Sequence, residues 1–286
     1  MNNNSFHLNS FREYGFTIFP KLNSEWVEKW RTICLNKYLD KVSNSPAVSD
    51  ILKSRVVLRD LLSEFFDLFF PSLIQGKMLD FLEVLMGPFV GFDSLQAAIT
   101  PTATKGEKKD VRDWHRDMWG ISGWSEFYFP PNAVNVLTYL QTGTEYGALK
   151  LIPGSHCGQH YAEPSDTRTD EMTIQMQAGD VIVIHSSLLH STSGNFSENE
   201  RIFVSYFYTK CWLPKRENYN DKQIRSVINN AFSSGDRRVA RLFKPDSELL
   251  VKRAAGAQGK YSEKELWSQW INEERLEREK GTIICQ

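Results

Sequence analysis

The stretch DWHRDMWG at residues 113–120 places His115 two residues before Asp117. A neutral imidazole is a nitrogen ligand for a transition metal, and a carboxylate is a hard anionic oxygen ligand. On an extended backbone, residues two apart project to the same side, so this pair can grip one ion. A third ligand is needed to make a site. The chain has six histidines, and the informative run is AGDVIVIHSSLLHSTSGNFSENERIFVSYFY, where His190 precedes a polar turn at Ser193-Gly194-Asn195. Two histidines and one carboxylate on one face leave open positions on an octahedral iron, the facial arrangement of non-haem Fe(II) oxygenases. Arg201 follows His190 by eleven residues, at the start of a returning strand. A guanidinium there can clamp a carboxylate through two parallel hydrogen bonds.

Three zones must position these residues. Residues 1–90 open with FREYGFTIFP, where Gly15 and Pro20 bracket a short apolar strand. A helix is expected in LNSEWVEKWRTICLNKYLDKV, capped by Asn23 or Ser24. Two more are expected at 56–70 and 72–86, broken at Pro71 and at Gly87-Pro88. Residues 91–212 change period: FDSLQAAIT, AVNVLTYLQ, GALKLIP, MTIQMQ, DVIVIH and RIFVSYFYT are short, apolar and rich in β-formers. Strands at this density indicate a sandwich or barrel. Residues 213–286 return to helical texture, with SEKELWSQWINEERLEREKG as an amphipathic helix whose charged side is a solvated face; the specific alternative is that it covers the barrel or pairs with a second subunit as a homodimer. The reading is a single mainly β domain with surrounding helices.

The 286 residues carry 34 Lys plus Arg against 35 Asp plus Glu. That balance gives no reason to expect nucleic acid or an anionic membrane surface. The four cysteines form no C-x-x-C pair, which argues against structural zinc and a disulfide framework. The N-terminus lacks secretory features, and residues 61–92 are too interrupted by charge to span a membrane. A cytoplasmic location is expected.

The segments FREYGFTIFP, WHRD, GALKLIPGSH and AGDVIVIHSSLLHSTSGNFSENER, in this order and with the His190-to-Arg201 spacing, resemble the phytanoyl-CoA dioxygenase family, which includes ectoine hydroxylase. The resemblance covers most of residues 10–210. It implies a double-stranded β-helix, or jelly-roll, core. It further implies Fe(II) held by His115, Asp117 and His190, with 2-oxoglutarate and O2 as cosubstrates. Arg201 would hold the distal carboxylate of 2-oxoglutarate, and Thr192 would add a hydroxyl to it. Gln96, Asn135 and Thr138 are further candidates against the cosubstrate. Related halogenases replace the carboxylate ligand by alanine or glycine, so Asp117 implies oxygenation.

Around the ligands, Trp119 and Trp124 are candidates to line an apolar substrate pocket. Lys150 and Arg116 are candidates to meet an anionic substrate or a loop carboxylate. His185 is expected to be a hydrogen-bonded core residue and His156 a turn residue. His7 and His160 are expected at the surface or in loops. The leading expectation is oxidation of a small-molecule C–H bond, with succinate and CO2 as coproducts and hydroxylation as the default outcome. The alternatives are a hydroxylase of a protein or carrier-bound substrate, and a cupin-like metal isomerase or binding protein without 2-oxoglutarate. Arg201 discriminates against the last, which needs no arginine there.

Overall fold

A computed structural model describes residues 3–43, 55–102, 113–118, 128–141, 148–158, 160, 163, 167–192, 194–217, 222–234 and 237–244. The chain divides into two compact units, residues 1–72 with 94–208, and residues 73–93 with 209–286. No described helix is long and apolar enough to cross a membrane.

The first unit begins with helix α1 (Asn3–Tyr14), which the sequence reading did not anticipate. Gly15 ends it with φ +82°, a conformation that costs glycine little. Strand β1 (Phe16–Phe19) follows, as FTIF suggested. Its neighbour α1 buries His7, whose ring bonds the Thr17 hydroxyl at 2.9 Å and stacks on Phe19, so His7 is not a surface residue. Helix α2 (Val27–Ser43) buries Val27, Trp30 and Cys34, spaced for one helical face. Neither expected cap is used as such: the Asn23 amide reaches Thr138 and the Ser24 hydroxyl donates to the Lys21 carbonyl.

The two expected helices of residues 56–86 break differently. Residues Val56–Leu58 form strand β2, paired with β3 (Val90–Thr100). Asp60 at φ +60° opens the short helix α3 (Leu61–Glu64), and α4 (Phe66–Leu73) carries Pro71 inside it rather than ending there. Helix α5 (Gly76–Met86) belongs to the second unit and ends at Gly87-Pro88, as expected.

The remaining strands are β4 (Ala133–Tyr139), β5 (Leu149–Leu151), β6 (Met172–Ile174), β7 (Val181–His185), β8 (His190–Thr192) and β9 (Arg201–Lys210). They form a six-stranded sheet in the order β1-β7-β4-β9-β3-β2 and a three-stranded sheet in the order β6-β5-β8. Pairing is antiparallel for β1–β7, β4–β7, β2–β3, β5–β6 and β5–β8. Sequence neighbours lie apart in this order, so the chain crosses repeatedly between two sheets, as in a jelly roll.

Alternation along the strands sorts the side chains. Phe16, Ile182, Ile184, Leu137, Tyr139, Phe203 and Ala98 from the larger sheet pack with Leu149, Leu151 and Ile174 from the smaller one. Each such large apolar side chain contributes about 1.5–3 kcal/mol on burial. The space between the sheets is therefore the core, and side chains on that inner face that are not apolar stand out.

In the second unit, helices α6 (Lys222–Ser234) and α7 (Arg237–Phe243) confirm the helical texture expected after residue 213. Arg238 of α7 pairs with Asp80 and Glu83 of α5. The expected C-terminal amphipathic helix, Trp119 and Trp124 lie outside the described residues.

Candidate metal centre

His190 heads β8, directly opposite Leu151 of β5, with Thr192 opposite Leu149. Leu149 and Leu151 face the core, so His190 and Thr192 project to the same inner side. His115 joins β8 through an isolated antiparallel bridge: its N–H donates to the His190 carbonyl and its carbonyl accepts from the His190 N–H, both at 3.0 Å. This pair of backbone hydrogen bonds fixes the two imidazoles beside each other, with ring centroids 4.3 Å apart. Asp117 lies one alternation further on. One ligand atom from each of His115, Asp117 and His190 falls within 4.8 Å of the others.

The protonation pattern suits metal binding. His115 Nδ1 lies 2.7 Å from the Asp113 carbonyl, and His190 Nδ1 lies 3.0 Å from the Leu188 carbonyl. A carbonyl only accepts, so each Nδ1 carries a proton, and in the neutral ring that leaves the Nε2 lone pair for a metal. Burial also pushes the His190 imidazole below its ordinary pKa, with Asp117 opposing and His115 reinforcing the shift. His190 Nε2 and Asp117 Oδ1 are 3.7 Å apart, too long for a hydrogen bond but close to the spacing of adjacent ligands around one ion. Two imidazole nitrogens and one carboxylate oxygen, all converging on the inner face, fit a divalent first-row metal such as iron.

The carboxylate is itself held. Asn135 on β4 donates its amide to Asp117 Oδ2 at 3.0 Å, and Ser205 on β9 donates to the Asn135 side-chain carbonyl. Asn135 thus orients Asp117, leaving Oδ1 toward His190. Ser205 escaped the sequence reading, although alternation from Arg201 puts Phe203 and Ser205 on Arg201's face.

Arg116 points away from the ligands, as alternation requires. Among the described residues, its guanidinium donates to the backbone carbonyls of Ser155 at 3.0 Å, His160 at 2.8 Å, and Ser187. The ligand strand is further pinned by Trp114, packed with Ile152 and Leu189, and by the Asp113 N–H, which bonds the Ser191 hydroxyl at 2.8 Å.

Arg201 is 4% exposed at the head of β9, and its Nη2 donates to the Thr100 hydroxyl at 2.8 Å. Thr100 and Gln96 share the face of β3 that carries Ala98 into the core. Two candidates face elsewhere. Thr138 alternates with the inward Leu137 and Tyr139, and its hydroxyl accepts from Asn23 at 2.7 Å. Lys150 alternates with Leu149 and Leu151, and pairs with Glu171 at 2.9 Å. Neither joins the centre, because register on these strands turns them to the outer face.

The other histidines are accounted for. His185 accepts from the Ser187 N–H at 3.1 Å, and burial lowers its pKa to about 3. His156 sits in the turn after β5 with its pKa lowered to about 4, again chiefly by burial, and its ring lies 5.1 Å from that of His185. Both are core residues outside the ligand set.

A sequence model described as phytanoyl-CoA dioxygenase matches residues 11–203, about two thirds of the chain. A curated relative, dioxygenase peniF of Penicillium patulum, is 38% identical over 88 residues, which cover 29% of this chain. The chain spans only 28% of that relative's length. A crystal structure of HygX from Streptomyces hygroscopicus with nickel and 2-oxoglutarate bound superposes with a TM-score of 0.59 at 16% identity, covering 74% of this chain and 89% of that one. A crystal structure described as the non-heme alpha ketoglutarate dependent epimerase SnoN from nogalamycin biosynthesis gives 0.50 at 17% identity, covering 73% and 83%. At such identities the likeness is one of fold, and it agrees with the jelly-roll core.

Proposed function

The chain belongs to the phytanoyl-CoA dioxygenase family, and on that premise we propose that it is an Fe(II)- and 2-oxoglutarate-dependent dioxygenase that oxidises a C–H bond of a small molecule. The observation that carries this reading is the convergence of His115, Asp117 and His190 within 4.8 Å on the inner face of the sheets, with buried Arg201 at the head of β9 in the larger sheet. When bound, iron and 2-oxoglutarate supply the oxidising power, with succinate and CO2 as coproducts.

The chain's own residues then have definite tasks. The two Nε2 lone pairs and Asp117 Oδ1 would hold the metal, which would supply the remaining positions for cosubstrate and substrate. Asn135 keeps Asp117 turned toward the metal through Oδ2. Arg201 anchors the distal carboxylate of 2-oxoglutarate, its second edge steadied by Thr100. Thr192 and Gln96 border the same space. The apolar inner face excludes water from the reacting atoms.

Hydroxylation is the default outcome we assign. The named epimerase of similar fold shows that such scaffolds serve other endings, and substrate-facing residues decide between them. Family membership does not carry the acyl-CoA substrate across, and we propose a small molecule of specialised metabolism. The test is uncoupled turnover: Fe(II)-loaded protein incubated with 2-oxoglutarate and O2 is expected to release succinate, and Asp117→Ala to release at least about 100-fold less. Succinate release that is equal in the two proteins would overturn the proposal.

A further inference from the structure

Asn135 on β4 and Ser205 on β9 stand on neighbouring strands of the larger sheet, 7% and 1% exposed. Both lie on the inner face among apolar side chains. Along that face Asn135 falls between Ala133 and Leu137, and Ser205 between Phe203 and Phe207, all four buried. Polar groups in such a place are costly unless each finds a partner. Among the described residues their side chains make two hydrogen bonds and no others: Ser205 donates to Asn135, and Asn135 donates to Asp117 Oδ2. Apolar side chains of similar size would fill the same space without that cost. The pair therefore has one outlet, the carboxylate of the ligand set.

Chemistry fixes the direction of both bonds. A carboxylate only accepts, so the amide turns its nitrogen to Asp117. Its carbonyl is then left in the interior, and the Ser205 hydroxyl is its donor. Without Ser205 that carbonyl is buried and unmet, and the amide loses the contact that holds its plane. A neutral amide also leaves the charge of Asp117 uncancelled, where a lysine or arginine would compete with a metal ion for it. Asp117 Oδ2 is thus occupied, while Oδ1 lies 3.7 Å from His190 Nε2.

We propose that Ser205, which touches no ligand of the metal, is a positioning residue for the centre: it locks Asn135 so that Asp117 offers the metal one oxygen only, and the position that the second oxygen would take is kept for the cosubstrate. This rests on the function proposed above.

The test is anaerobic titration of wild type, Ser205→Ala, Asn135→Leu and the double variant, first with Fe(II) by calorimetry and then with 2-oxoglutarate by the visible absorption of the chelate. In Ser205→Ala, Fe(II) affinity is expected to stay within about 3-fold of wild type, because a second carboxylate oxygen compensates for the lost order. Affinity for 2-oxoglutarate is expected to fall about 10-fold, the equivalent of one buried hydrogen bond, because that oxygen competes with it. Asn135→Leu is expected to show the same split. The double variant is expected to match Asn135→Leu, since Ser205 acts only through Asn135. A serine that merely supports the fold would add its own loss in the double variant, and this result would overturn the proposal. So would Fe(II) and 2-oxoglutarate affinities that fall together in Ser205→Ala, or that both stay at wild-type values. If wild type binds Fe(II) but no 2-oxoglutarate, the proposed function fails and the role of Ser205 with it; a wild type that binds both, with no split in the variants, refutes the role of Ser205 alone.

Discussion

Arg116 stands between the two ligands of the HxD pair, yet its work is done on the far side. One guanidinium reaches carbonyls at Ser155, His160 and Ser187, three separate points on the loops that flank the centre. Only a planar fork with five donors can do this; a lysine ammonium at the end of its stem cannot span the set. Arg116→Ala is expected to lower stability by about 2–4 kcal/mol in urea unfolding, because buried carbonyls lose their donor. Fe(II) affinity should fall about 10–100-fold, the usual cost of losing a group that orients ligands. Arg116→Lys is expected to recover only part of either loss. An alanine variant with wild-type iron affinity would show that the clamp does not orient the ligands. The cluster of His115, Asp117 and His190 was suggested by residue type and spacing together with the family resemblance, and the structure brings the three side chains together. Arg116's contacts were not suggested, since backbone carbonyls leave no mark in a sequence.

At the scale of elements, register decides what a strand residue can do. Asn135 and Thr138 share β4, but the odd positions face inward, where Asn135 meets Asp117, and Thr138 faces Asn23. Lys150 fails in the same way on β5, where its neighbours are the core leucines. Sequence supplies the period of alternation but not its phase, and phase is set by packing against the other sheet. Turns were more legible. The AGD turn before β7 places Gly179 at φ +86°, and a Cβ there would lie 2.6 Å from Ser24 Cα. Asp180 closes the turn by accepting the Gln177 N–H at 2.8 Å and ties it to the Lys21 N–H at the same distance. Gly179→Ala should therefore cost about 2–4 kcal/mol, from strained backbone plus a contact the Ser24 main chain cannot yield. Denaturant titration reads this directly, and a loss below about 0.5 kcal/mol would contradict it. Helix α1 was missed because only Phe11 and His7 turn inward among its many polar residues, too few to announce a helical face.

For the molecule as a whole, every residue of the proposed chemistry falls in the unit formed by residues 1–72 and 94–208. The family match, residues 11–203, covers nearly the same stretch. The jelly roll was legible from strand density and from the resemblance. The division of the chain was not, because the second unit is assembled from segments distant in sequence, residues 73–93 and 209–286. The proposed chemistry leans most on Arg201, which heads β9 of the larger sheet, is buried, and donates to Thr100. The most direct test of the account is anaerobic titration of Fe(II)-loaded protein with 2-oxoglutarate, followed by the weak visible absorption of the iron chelate. The account predicts a band that saturates at one equivalent of iron and needs markedly more 2-oxoglutarate in Arg201→Gln. Iron bound tightly with no band at any 2-oxoglutarate concentration would contradict it.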